Sequence, residues 1–243
     1  MRAEPVPIDT LPGYRRRFVV TPHAGWVQAE LEDDYHCMSV TIRHAGGIAT
    51  AIEPAVYRAP WTTCPGAEDK LIDTFTGVPL DDFAARGEKP SNCTHLHDLA
   101  TLAAAHHRDT RATLYDALAS DPLDGRTRAE LRRDGVPVFA WTLDRFTIVA
   151  PADVAGIDLM NLKPLLERLD PLGRESAKIL RWAIMVGSGR MIPLENQSDA
   201  TKMPPNCFTF QPAIRGKARR VGVIRDFSVG NARLLDGQHH RAR

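Results

Sequence analysis

From Asn92 to His107 the chain reads NCTHLHDLATLAAAHH, which sets one cysteine, four histidines and an aspartate among small apolar residues. A helix there separates the polar groups by angle. Cys93, Leu96, Ala100, Ala103 and His107 fall on one stripe, and His95, Leu99, Leu102 and His106 on the next. The leucines then anchor the helix, with Cys93 and His95 on its first turn beside the buried surface. Amides at a helix N-terminus carry partial positive charge, which favours a thiolate and disfavours an imidazolium. A histidine so placed is expected to be neutral near pH 7, able to serve as a base or a neutral donor. Asp98, three residues on, can reach it and hold its tautomer. The competing reading is structural: His95 bonds neighbouring carbonyls, Asp98 offsets the dipole, and Cys93 packs as a small apolar residue. His106 and His107 suit the helix end as cations on the C-terminal dipole.

A second group of residues lies in YRAPWTTCPGA, residues 57–67. A loop with Trp61, the threonines Thr62 and Thr63, Cys64 and a Pro-Gly turn can line an aromatic pocket, with Arg58 beside it as an anion or phenolate partner. The alternative is a packed corner with Trp61 in the core. Further upstream, alternation puts Tyr35, Cys37, Ser39 and Thr41 on one strand face and His36, Met38, Val40 and Ile42 on the other. Tyr35 is the better pocket residue on that pattern, and His36 reads as a buried, satisfied histidine.

Other chemistries lack their motifs. No GxGxxG follows a strand, and there is no P-loop, so nucleotide binding is not signalled. VGSGR at 186–190 lacks the spacing of a nucleophile elbow and follows a helix rather than a strand. No HExxH is present, and Cys37, Cys64, Cys93 and Cys207 show no CxxC pairing, so they are expected to be free thiols with no metal among them. The arginines of YRRRF and RGKARR have no stacking aromatics between them, which argues against nucleic acid.

The elements that must position these residues follow from periodicity. Residues 14–60 read as three or four meandering strands. The acidic EDD at 32–34 suits a turn between two of them, and HAGG at 44–47 suits the next. Two short helices are expected at Ala67–Phe75 and Leu80–Ala85, then the central helix at 92–107, capped by Asn92 or Thr94. Strands return at 110–151 with a turn at Asp134–Gly135. Helices follow near 159–169 and 172–189, the second ending at its glycines. Two groups of strands, a central helix and C-terminal helices make an α+β fold with an antiparallel sheet. The expected organisation is one domain over 1–190, with 191–243 as an extended proline-rich arm over the body or over a partner subunit.

With 243 residues, 43% hydrophobic and 25% charged, and a formal charge of +1, the composition is that of an ordinary globular chain without a field for polyanions. No apolar run has membrane-spanning length. The opening MRAEPVPIDTLPGYRRRF carries prolines and acids where a signal peptide has its apolar segment, so a cytoplasmic protein with no membrane partner is expected.

The two motifs RAPWTTCPGA and NCTHLHDLATLAAAHH resemble a bacterial domain-of-unknown-function family. In that family a PW-[ST]-TCPGA loop precedes a helix opening with CTHL-x-DLA. The likeness runs loosely over residues 14–190. Members are linked with bacterial catabolism of aromatic compounds, and the family is similar to a phenylcoumaran γ-formaldehyde lyase acting on lignin-derived dimers. The chain departs from the motif at His97, where Phe is usual, which bears on substrate choice. The resemblance implies a lyase that needs no metal or nicotinamide cofactor. A base takes the proton of a primary alcohol, formaldehyde leaves, and a phenoxide is expelled as a stilbene forms. On that path His95 with Asp98 is the expected base, and Tyr35 or Arg58 the donor. Trp61 would be the aromatic cradle, with Thr63, Cys64, Cys93 and His97 around the substrate. The partners expected are a small aromatic substrate and a second copy of the chain in a homodimer. Two other classes stay open: a non-catalytic accessory protein of aromatic catabolism, and a metal-dependent hydrolase built on Cys64, Cys93 and His95.

Overall fold

The structure, a computed structural model, describes residues 6–236. Runs of β-branched and aromatic residues, broken by turns that need positive φ, give strands β1 (Gly13–His23), β2 (Trp26–Asp33), β3 (Cys37–Ala45) and β4 (Ile48–Arg58). Helices α1 (Ala67–Phe75) and α2 (Thr94–Ala105) follow. Then come β5 (Thr113–Ser120), β6 (Arg126–Arg133), β7 (Val136–Asp144) and β8 (Thr147–Ala150). The one-turn α3 (Lys163–Leu166) and the longer α4 (Pro171–Gly187) complete the regular elements. Gly46 and Gly47 between β3 and β4, and Asp134 and Gly135 between β6 and β7, all have positive φ, as tight hairpin turns require. The strands form one eight-stranded antiparallel sheet in the order β4-β3-β2-β1-β5-β6-β7-β8, so the fold is α+β. Among the described residues no helix is long and apolar enough to cross a membrane.

The chain divides into two compact units. The first contains the start of β1 with Tyr115–Ile192 and Asp226–Leu234. Its core includes Tyr14, Tyr115, Leu131, Leu143, Ile148, Leu159, Leu180 and Ala183, all buried. Helix α4 starts at Pro171, with the Asp170 carboxylate accepting the Gly173 amide at 2.7 Å as its N-cap. Near its end Gly187 lies so close to Tyr14 that an added Cβ would sit 2.9 Å from the ring, so only glycine fits.

The second unit contains the rest of β1 with the chain to Leu114, and Pro193–Arg225. Helix α2 packs on β2 and β3 through Leu96, Leu99, Ala100, Leu102 and Ala103, and α1 packs on β4. The α2 cap differs from the expected Asn92 or Thr94. Cys93 holds the N-cap position, and Asn92 is fully buried, its amide donating to Thr74 Oγ1 at 3.0 Å and to the Glu88 carbonyl at 3.1 Å. Among the described residues beyond 190, the only helical elements are short 3-10 turns, and the segment is shared between the two units rather than forming one of its own.

Candidate active site

The end of β2 and the turn after it bring Glu32, Asp33 and Asp34 together, and all three are fully buried. The expected turn at 32–34 begins later, since Glu32 and Asp33 still belong to β2. Arg58, at the end of β4, makes the burial tolerable. Its guanidinium donates to Glu32 Oε1 at 3.1 Å and to the carbonyls of Asp33, Asp34 and His36 at 2.6, 2.8 and 3.2 Å. The Leu235 amide adds a bond to Glu32 Oε2 at 2.8 Å. An arginine fork is suited to this, because it meets a carboxylate and several carbonyls from one rigid plane. Arg58 was expected to meet a substrate anion. It is instead spent on the chain's own acids and carbonyls.

Held in this way, Asp33 organises the residues after it. Its Oδ1 accepts the amides of Tyr35 and His36 at 2.7 and 2.8 Å, and its carboxylate meets His36 Nδ1 at 3.1–3.2 Å. Nδ1 therefore carries the hydrogen, and Nε2 keeps an in-plane lone pair in the neutral ring. The His36 ring stacks on that of His95 from the first turn of α2, with centroids 3.9 Å apart and planes 26° from parallel. One oxygen of Asp33 and one ring nitrogen of each histidine lie within 4.8 Å of one another. Residues 33, 36 and 95 thus form a cluster with the composition of an acid–base centre.

The expected pairing of His95 with Asp98 is not the one the structure has. Both oxygens of Asp98 are bound by Lys89 Nζ at 2.6 Å, and no hydrogen bond joins Asp98 to His95. Asp33 and His36 were missed. Strand alternation does not govern Tyr35 and His36, since both lie in the turn before β3. An acid three residues before a histidine at a strand end was the available signal. His97 faces away from this cluster's chemistry. Its Nε2 donates to the Gly87 carbonyl at 2.8 Å, its ring lies 5.0 Å from that of Phe75, and burial lowers its pKa.

The PWTTCPGA loop does not form an open cradle. Trp61 is buried, edge-on to Phe210, and forms a β-bridge with Arg220. Thr62 Oγ1 accepts the Arg219 amide at 3.1 Å, and Thr63 Oγ1 donates to Thr209 Oγ1 at 3.0 Å. Cys64 Sγ is 3.6 Å from the same hydroxyl. The motif is a seat for residues 208–220 of the chain. Cys64, Cys93 and Cys207 are near enough to feel one another's charge, and burial raises all three thiols, Cys93 to about 12 and Cys207 to about 11. The helix dipole was expected to favour a Cys93 thiolate, and the amides of Leu96 and His95 do pull in that direction. Desolvation is the larger effect, so the protonated thiol is the favoured form of Cys93 at neutral pH.

An open pocket of about 280 Å³ adjoins Tyr35. Its other walls are Pro60, Leu194, Arg220 and the segment Val221–Ile224. The Tyr35 ring is shared: it lines the pocket and meets the His36 ring edge-on at 6.2 Å. The segment is held by the Val221 amide on the Pro60 carbonyl and the Arg225 amide on the Asp34 carbonyl, both at 2.9 Å. No protein-family model matches the chain, and no curated protein matches it either.

Proposed function

We propose that the chain is an enzyme acting on a small aromatic compound by proton transfer at Asp33, His36 and His95. The reaction we propose is the formaldehyde-releasing cleavage that the two motifs imply. The observation that carries the reading is the stacked His36–His95 pair with Asp33 on the outer nitrogen of His36. A carboxylate that fixes the Nδ1–H tautomer leaves Nε2 as a base, the arrangement general-base catalysis uses. A histidine of the pair removes the hydroxyl proton of a primary alcohol. The O–H electrons become the C=O of formaldehyde, and the broken C–C bond supplies the new C=C. The aryl ether C–O bond breaks to give phenoxide, which takes the proton back from the imidazolium, directly or through Tyr35 as that residue is reprotonated. Atoms and electrons balance with no oxidant. Incubating the purified protein with a phenylcoumaran tests the reading: formaldehyde and stilbene should appear in equal amounts. A protein that yields neither is not this lyase.

A second reading rests on the same three groups, because two imidazoles and a carboxylate also suit a transition-metal ion. The ring planes favour the first. An ion about 2.0–2.1 Å from a nitrogen of both stacked rings would sit well out of both planes, where the lone pairs do not point. Metal binding would need one ring to turn, and cobalt titration followed by absorption spectroscopy would reveal it.

A further inference from the structure

We infer that Arg220 is the anion-recognition residue of the Tyr35 pocket and that the ligand it selects is an aromatic carboxylate of one ring. Arg220 differs from Arg58 in how it is used. Its guanidinium lies 5.5 Å from the centre of the Trp61 ring, so one face is taken by a cation–π contact. Among the described residues, no hydrogen-bond acceptor and no carboxylate partners it, although it is half-buried and lines a pocket. Burial lowers its pKa, and Tyr35 and Cys64 are the groups that pull the other way. A charge kept half out of water without an anion is costly, and a carboxylate arriving in the pocket would remove that cost through a two-bond fork.

The rest of the lining states what the carboxylate is attached to. Pro60, Leu194, Val221, Val223 and Ile224 are apolar, and Tyr35 adds a ring. A volume of 280 Å³ lies just under the roughly 300–1,000 Å³ range of pockets for drug-sized ligands, which suits one substituted ring with a short side chain. In a two-ring substrate this pocket takes the ring that bears the acid. Gly222 keeps the pocket in shape: its φ is +83°, and a Cβ there would come 2.8 Å from the Ala59 carbonyl oxygen.

The inference rests on the aromatic-substrate reading for the identity of the ring, but its readout is binding and not turnover. The probes are ferulate and methyl ferulate, which differ in the charge of one group, followed by calorimetry or by quenching of tryptophan fluorescence. Ferulate should bind at least ten-fold tighter than the ester. Arg220→Gln should abolish that preference, Arg220→Lys should retain part of it, and Arg219→Gln, which changes the exposed neighbour, should leave it intact. Circular dichroism shows whether each variant is folded, and the lysine variant keeps the test valid if the glutamine variant is not. Equal affinity for acid and ester, or a preference that survives in Arg220→Gln, overturns the inference. If ferulate binds as expected while phenylcoumarans yield no formaldehyde, the lyase reading falls and this one stands. If formaldehyde appears without the acid preference, the reverse holds.

Discussion

At the scale of single residues, the decisive feature is where charge is buried. Glu32, Asp33 and Asp34 leave water together, and Arg58 meets a side chain or carbonyl of each, with Arg225 adding an ion pair to Glu32 at 3.5 Å. Removing one partner of a buried ion pair leaves the other without compensation, a loss of about 3–5 kcal/mol. Arg58→Met is expected to approach that loss in denaturant unfolding, with Arg225 left to offset part of it, and a loss under about 1 kcal/mol would mean that Arg58 is not the main counter-ion. His97 gives a pH test. Its folded pKa lies below the unfolded value near 6.5, so the folded protein binds fewer protons there than the unfolded chain. Its contribution is present above that value and is lost as pH falls through the folded pKa. Denaturant midpoints at pH 7.5 and 5.5 should therefore fall more steeply for the wild type than for His97→Phe. Equal slopes would show that the ring titrates as in water. Neither residue's role was legible in the sequence. Which carboxylate meets which base depends on chain reversals dozens of residues apart, so the local pairing of His95 with Asp98 was the natural and incorrect choice.

At the scale of elements, much more was readable. The hairpin turns at Gly46–Gly47 and Asp134–Gly135 and the helix at Ala67–Phe75 follow from local φ preference and periodicity, and the structure has them there. What local pattern lacks is the long-range seat of residues 193–225. Thr62, Thr63 and Trp61 read as pocket residues because their partners, Arg219, Thr209 and Phe210, lie about 150 positions downstream. Gly222 tests that seat. Ala at this position combines a left-handed backbone with a clash on a carbonyl, at a cost of about 1–3 kcal/mol. Gly222→Ala is expected to speed limited proteolysis within residues 215–225. Gly216→Ala, where an added Cβ meets nothing within 4 Å, should not. Equal cleavage of the two would show that the segment is not held at Ala59.

At the scale of the whole molecule, the α+β fold serves to bring a turn after β2 against the first turn of α2. Positions 33 and 36 meet position 95 only because α2 packs across β2 and β3. The central claim is that this meeting is the reaction centre, where the sequence pointed to His95 with Asp98 and the structure gathers Asp33 and His36 around His95. Formaldehyde release from a phenylcoumaran by Asp33→Asn, His36→Gln, His95→Gln and Asp98→Asn variants of the intact protein decides between them. General acid–base groups contribute about 10²–10⁴-fold, so the first three should each lose at least about a hundred-fold in turnover. Asp98→Asn, which breaks only a partly exposed pair with Lys89, should stay within about three-fold of the wild type. Full turnover by the His36 or Asp33 variant, with Asp98→Asn inactive, would contradict the account.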